Sequence, residues 1–160
     1  MAARKRQSVL QQARRMEKEL GHRLKNSNVL RFFGFRLITA EPGRVVLQFR
    51  VRSHHLQVHN VVHGGVTATL ADTAGGMATY LAVPPGTRVA TVEMKINFLE
   101  PIEQGTVTAD ARVIRRGRHF CVVDCDVRDS GGRLAGKALM TFAIGVGPED
   151  PAGKSRRPAG

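Results

Sequence analysis

The chain has 160 residues, 25 Lys+Arg against 13 Asp+Glu, 42% hydrophobic residues, two Cys, one Tyr and no Trp. This length fits one domain whose core needs no disulfide or metal staple, and the apolar fraction excludes a disordered chain. No apolar run reaches the roughly 18 residues of a membrane span and the N-terminus lacks a signal-peptide apolar segment, so a soluble, cytoplasmic protein is expected.

Residues 1–27 carry eight basic and two acidic side chains, half of the net charge of +12. Leu10, Ala13, Met16, Leu20 and Leu24 recur at threes and fours, the pattern of an amphipathic helix with basic flanks. The segment reads as a helix separable from the core. A docked helix with a solvated outer face accounts for it, and a handle for RNA or anionic lipid is the alternative. No aromatic residue interrupts its basic clusters, which argues against a single-strand nucleic-acid binder.

Residues 28–147 form the main domain. Residues 35–40, a turn at Glu41-Pro42-Gly43-Arg44 and residues 45–51 read as a hairpin, with Val45, Leu47, Phe49 and Val51 on one face. Residues 54–63 are a loop with room for one helical turn. Residues 64–81 are apolar on nearly every side with Asp72 as the one charge, so a helix enclosed by the fold is expected. Pro84 and Pro85 end it. In residues 88–99 the set Ala90, Val92, Met94, Ile96 and Phe98 reads as the inward face of a strand that Pro101 stops. Strands over 106–116, 119–128 and 134–146 follow, joined by Arg116-Gly117-Arg118 and by Asp129-Ser130-Gly131-Gly132. The Pro/Gly-rich residues 148–160 are expected to be a disordered tail. Hairpin, helix, then meander is α+β: one antiparallel sheet wrapped around one long helix. Cys121 and Cys125, four apart on a strand, lie ~13 Å apart, beyond the ~7 Å reach of a disulfide, and read as free buried thiols.

Chemistry concentrates where His63-Gly64-Gly65 opens the helix. Glycines there allow close approach to the backbone, and the first helical N–H groups lack internal partners and carry partial positive charge. Such an opening suits a carbonyl oxygen becoming negative in acyl transfer. Asp72, nine residues after His63, is a buried charge that must be paired or put to use. Eight residues of helix separate Gly64 from Asp72, ~12 Å, so the two cannot grip one small group within a chain. Either they serve different purposes, or a twofold axis brings Asp72 of one copy to Gly64 of another, which implies an obligate homodimer at minimum. His55, His59 and His63, spaced by four, would suit zinc on a helix, but the loop composition argues against three turns of helix. No Ser occupies a G-x-S-x-G elbow.

Gln57, the run HNVVHGGVTATLADTAG, ATVEMKINFLEP, RRGR and DSGGRLAGKALMTFAIG resemble a hotdog-fold acyl-CoA thioesterase of the phenylacetic-acid-degradation type, over about residues 30–146. The resemblance implies hydrolysis of acyl-CoA to free acid and coenzyme A, without a metal or redox cofactor. It makes Asp72 the catalytic carboxylate, as nucleophile or as base for water, and the Gly64 N–H the donor to the thioester carbonyl beside Gly65. It makes His63 the support of that loop and places Thr91 where a Ser or Thr assists from the partner side. Gln57 falls where relatives carry Asn or Gln near the attacking group; Asn60 is the alternative, and spacing favours Gln57. Coenzyme A phosphates would meet Arg116, Gly117 and Arg118, since guanidinium forks suit phosphate oxygens. Thr73, Ala74 and Met77 would line the acyl chain. The implied partners are an acyl-CoA substrate and further copies of the chain, as a dimer or a dimer of dimers. A non-catalytic acyl-CoA-binding protein is the competing reading and a basic nucleic-acid binder the third; a hydratase would need a different His-plus-acid pattern.

Overall fold

Two helical pieces precede the sheet in the computed structural model, which describes residue 18 and residues 20–148. The expectations for residues 1–17, for residue 19 and for the tail from 149 onward lie outside the described residues. Residues 20–26 are helical. Ser27 breaks the run and its side-chain oxygen accepts the Leu30 N–H, capping α1 (Asn28–Phe33), which ends on Gly34 in the left-handed region at φ 66°. Then come β1 (Arg36–Glu41), β2 (Arg44–Arg50), a 3-10 turn at Ser53–His55, α2 (Gly64–Ala82), β3 (Thr87–Phe98), β4 (Thr106–Arg116), β5 (Phe120–Arg128) and β6 (Leu134–Pro148). The six strands form one sheet in the order β1-β2-β4-β5-β6-β3 with every pairing antiparallel, the expected α+β arrangement.

Alternation along the strands builds the core. Val45, Leu47 and Phe49, then Val107, Ala109 and Ala111, then Val123, Cys125 and Val127, turn every second side chain onto α2. The helix answers with Val66, Leu70, Ala71, Ala74 and Ala78. Small residues let the sheet close on it: a Cβ at Gly75 would come within 2.7 Å of Met140 Cε and 3.0 Å of the Phe142 ring. Cys121 and Cys125 are both free and buried on β5. Among the described residues no helix is long and apolar enough to cross a membrane.

Three expectations change. The described end of the leading segment, residues 20–26, is not separable from the core: Leu20 is fully buried and Leu24 nearly so, and both belong to the main hydrophobic cluster. The central helix is not enclosed on all sides. Gly65 is exposed, and Asp72, Thr73 and Gly76 are half-buried, because the sheet covers one flank and leaves this one open. Asp72 therefore does not carry the full cost of a buried charge.

The third change is in β3. Its pairing with β6 slips between Thr91 and Glu93, a bulge at Val92. An extra residue reverses which side chains face inward. Met94 and Ile96 pack on the core beyond the bulge, whereas Val89 packs there before it, and Val92 is left 54% exposed. Ala90 is exposed as well, so the single inward set read from the sequence is two sets of opposite phase. Thr91 falls in the first. β3 is also a sheet edge, hydrogen-bonded to β6 alone among the described strands.

Candidate active site

The bulge brings two sequence-singled residues together. Thr91 Oγ1 donates a hydrogen bond to Asp72 Oδ1 at 2.8 Å. Thr91 and Asp72 belong to the same chain, so this hydroxyl does not need a partner subunit to reach the carboxylate, contrary to the expectation that it assists from the partner side. Both open into a cavity of about 510 Å³, together with Thr73 and Met77. That size lies within the ordinary range of small-molecule sites. Ala74, named with them as a lining residue, is fully buried in the core instead.

The helix opening is built separately. His63 is the N-cap of α2, and its Nδ1 accepts the Gly65 N–H at 2.8 Å. The His63 carbonyl accepts from Val66 and Thr67. Of the first four helical amides these three are occupied, and the Gly64 N–H alone has no partner among the described residues. Phe98 explains why position 64 is glycine, since a Cβ there would lie 3.1 Å from its ring. Gly64 lines a second cavity, of about 360 Å³, with Thr67, Phe98, Pro101 and Ile102. Within one chain the amide and the carboxylate thus open into different cavities, as the length of helix between them requires.

The loop before the helix is held from behind by His55, which is 1% exposed. Its carbonyl accepts the His63 N–H at 2.8 Å and its Nδ1 accepts the Arg52 N–H at 3.1 Å. Its Nε2 has no partner among the described residues. Burial, followed by the neighbouring His54, holds this imidazole below its ordinary pKa of 6.5. Sequence reasoning named His55 only as a zinc candidate. The three imidazoles are not gathered: His55 is buried among aromatic rings, His63 caps the helix, and the described residues hold no cluster of three or more His, Cys, Asp or Glu suited to a metal ion.

Other named residues stand outside both cavities. Gln57 turns onto its own loop, its Oε1 accepting the His59 N–H at 3.0 Å, and Asn60 occupies the left-handed position of the same turn at φ 60°. Arg116, Gly117 and Arg118 make the exposed β4–β5 turn, apart from Asp72 and Gly64. Burial pushes the Cys125 thiol up to about 12, so it carries no thiolate near neutral pH. What the sequence did not disclose is the far side of the Asp72 cavity, where Leu20, Arg23 and Leu30 stand opposite Tyr80 and Phe142.

Residues 59–136 match the model of the Thioesterase superfamily. A provisionally named esterase of Saccharolobus solfataricus is 32% identical over 75% of this chain and 85% of its own length. Human acyl-coenzyme A thioesterase 13 is 29% identical over 68% of this chain and 79% of its own. Among solved structures, a thioesterase from Haemophilus influenzae superposes with a TM-score of 0.75 at 27% identity, covering 80% of this chain and 89% of that one. A hypothetical thioesterase of Streptococcus pneumoniae, solved with coenzyme A, gives 0.67 at 25% identity over 73% and 89%.

Proposed function

Because the chain belongs to the Thioesterase superfamily and has its hotdog fold, we propose that it hydrolyses acyl-CoA thioesters at a site shared by two copies. Asp72 of one copy delivers the attacking oxygen, by deprotonating a water or by adding its own oxygen, and the Gly64 N–H of the other polarises the carbonyl. Water is consumed, the carbon–sulfur bond breaks, and a carboxylic acid and the thiol of coenzyme A leave. The named acyl-coenzyme A thioesterase relative and the coenzyme A-bound neighbour support this substrate class.

The observation that carries the reading is the Asp72–Thr91 pair at the mouth of a cavity. A carboxylate held by one hydroxyl keeps lone pairs for a water or a carbonyl carbon, which a purely structural aspartate would spend on backbone donors. The unpaired Gly64 N–H is the complementary half, and the open edge of β3 offers a second copy a surface to pair with. The basic 116–118 turn supplies guanidinium groups for the phosphates of coenzyme A, while Gln57 and Asn60, on their own loop outside both cavities, are given no contact with the attacking group within one chain. Asp72→Asn tests the reading: released thiol from an acyl-CoA panel should fall by at least about 10³-fold while acyl-CoA still binds. Near-normal turnover in this variant would leave a binding protein or a different catalytic group.

A further inference from the structure

The cavity beside Asp72 has a direction. Asp72, Thr73, Gly76, Met77 and Tyr80 line it at spacings that keep to one face of α2, and from Asp72 to Tyr80 the face runs ~12 Å. Phe142 of β6 and Val89 of β3 make the facing wall. The roof comes from the helical residues 20–26 and from α1, through Leu20 and Leu30. At the Tyr80 end the Arg23 guanidinium carbon lies 4.1 Å above the ring centroid, a cation–π stack across the groove. Tyr80 itself is buried. Neither the roof nor this stack's arginine falls within residues 59–136, which match the superfamily model.

We propose that residues 20–30 close the acyl groove and that the Arg23–Tyr80 stack sets a ceiling on acyl length, so the chain takes medium-length acyl groups. The inference rests on the hydrolysis reading above and adds to it which acyl groups pass. An extended chain of roughly ten carbons fills ~12 Å beyond the carbonyl. Up to that length each added methylene is buried against Met77, Leu30 and Val89, worth about fourfold in affinity. Beyond it the chain meets the stacked guanidinium, and further carbons must either displace Arg23 or remain in water.

A saturated acyl-CoA series from C4 to C16 tests this on the full chain, with kcat/KM read by thiol release. The melting shift given by free carboxylates of the same lengths reads the groove without turnover. The expected profile climbs roughly tenfold or more per two carbons to about C10 and falls at least tenfold by C14, and the carboxylates show the same break. Arg23→Ala should raise the C14-to-C8 ratio at least tenfold. Arg23→Lys, which keeps the charge and lacks the flat stacking face, should raise it in the same direction. A profile without a break, or a break that neither variant moves, overturns the inference while leaving hydrolysis intact. A carboxylate break with no thioester cleaved overturns the hydrolysis reading and leaves the groove. Neither hydrolysis nor a break removes both.

Discussion

Asp72 is steadied by a single hydroxyl of its own chain, and that hydroxyl is replaceable. Thr91→Val keeps the shape of the side chain and removes the 2.8 Å hydrogen bond. A hydrogen bond to a charged group is worth about 1.5–3 kcal/mol, so kcat should drop roughly 10- to 100-fold with little change in KM. Thr91→Ser should restore most of it; a Thr91→Val enzyme as active as the parent would show that the contact does not position the carboxylate. His55 makes a different residue-scale statement. Its folded pKa lies below the unfolded value of 6.5, so the unfolded chain binds the proton first. Stability is therefore full above pH 6.5 and declines as pH falls below it, until the folded state is protonated too. His55→Phe, which stays apolar beside Phe49, should flatten the fall of melting temperature between pH 7 and 5. An unchanged slope would assign that acid sensitivity to other groups.

At the scale of elements, the strands and the central helix were legible because their periodicities are local properties. Val107–Ala111 alternate in the sequence as they do in space, and Val45, Leu47 and Phe49 share one face although Val46 between them is buried too. The phase of β3 was not legible: Ala90, Val92, Met94, Ile96 and Phe98 make an unbroken alternation, and the bulge that splits it follows from pairing with β6. Thr91 could be named by resemblance, but its contact with Asp72 required that long-range register. The open flank of α2 was hidden for a related reason, since a run of Ala, Thr and Gly says nothing about how far a sheet wraps. In the leading segment, the described residues 20–26 are helical with Leu20 and Leu24 buried, so this part is not dispensable, because periodicity reveals an apolar face and not what covers it. Leu20, fully buried and also lining the cavity, decides the matter. Leu20→Ala should cost about 2–4 kcal/mol in denaturant unfolding, whereas a helix loosely attached to the domain would lose less than about 0.5 kcal/mol.

For the whole molecule, the proposed function makes one chain the holder of two half-sites. Gly64 opens into one cavity and Asp72 into the other, and the helix between them fixes their separation. The edge of β3 carries Val92 and Phe98, both more than half exposed, beside the strand's unpaired backbone groups. A second copy pairing there would continue the sheet and bring complementary half-sites together. The candidate residues His63, Gly64 and Asp72 stood out in the sequence, and so did the ~12 Å of helix that keeps Gly64 from Asp72 within one chain. The exposed edge of β3 proposed to pair with a second copy was not legible there, since exposure belongs to the folded sheet.

Complementation between two inactive variants measures this most directly. Asp72→Asn removes the carboxylate. Gly64→Pro removes the N–H at the first helical position, which tolerates proline, and the extended His63 before it is already suited. Gly64→Ala serves as its control, placing a Cβ against Phe98 while keeping the N–H. Each variant alone should lose about 10²-fold or more in kcat. Unfolded and refolded together in equal amounts, they form mixed dimers in half of the assemblies. Each mixed dimer has one intact site, assembled from Gly64 of one subunit and Asp72 of the other. Recovery to about a quarter of the parent activity is the expected result; a mixture no more active than its two components would contradict a site shared across the interface.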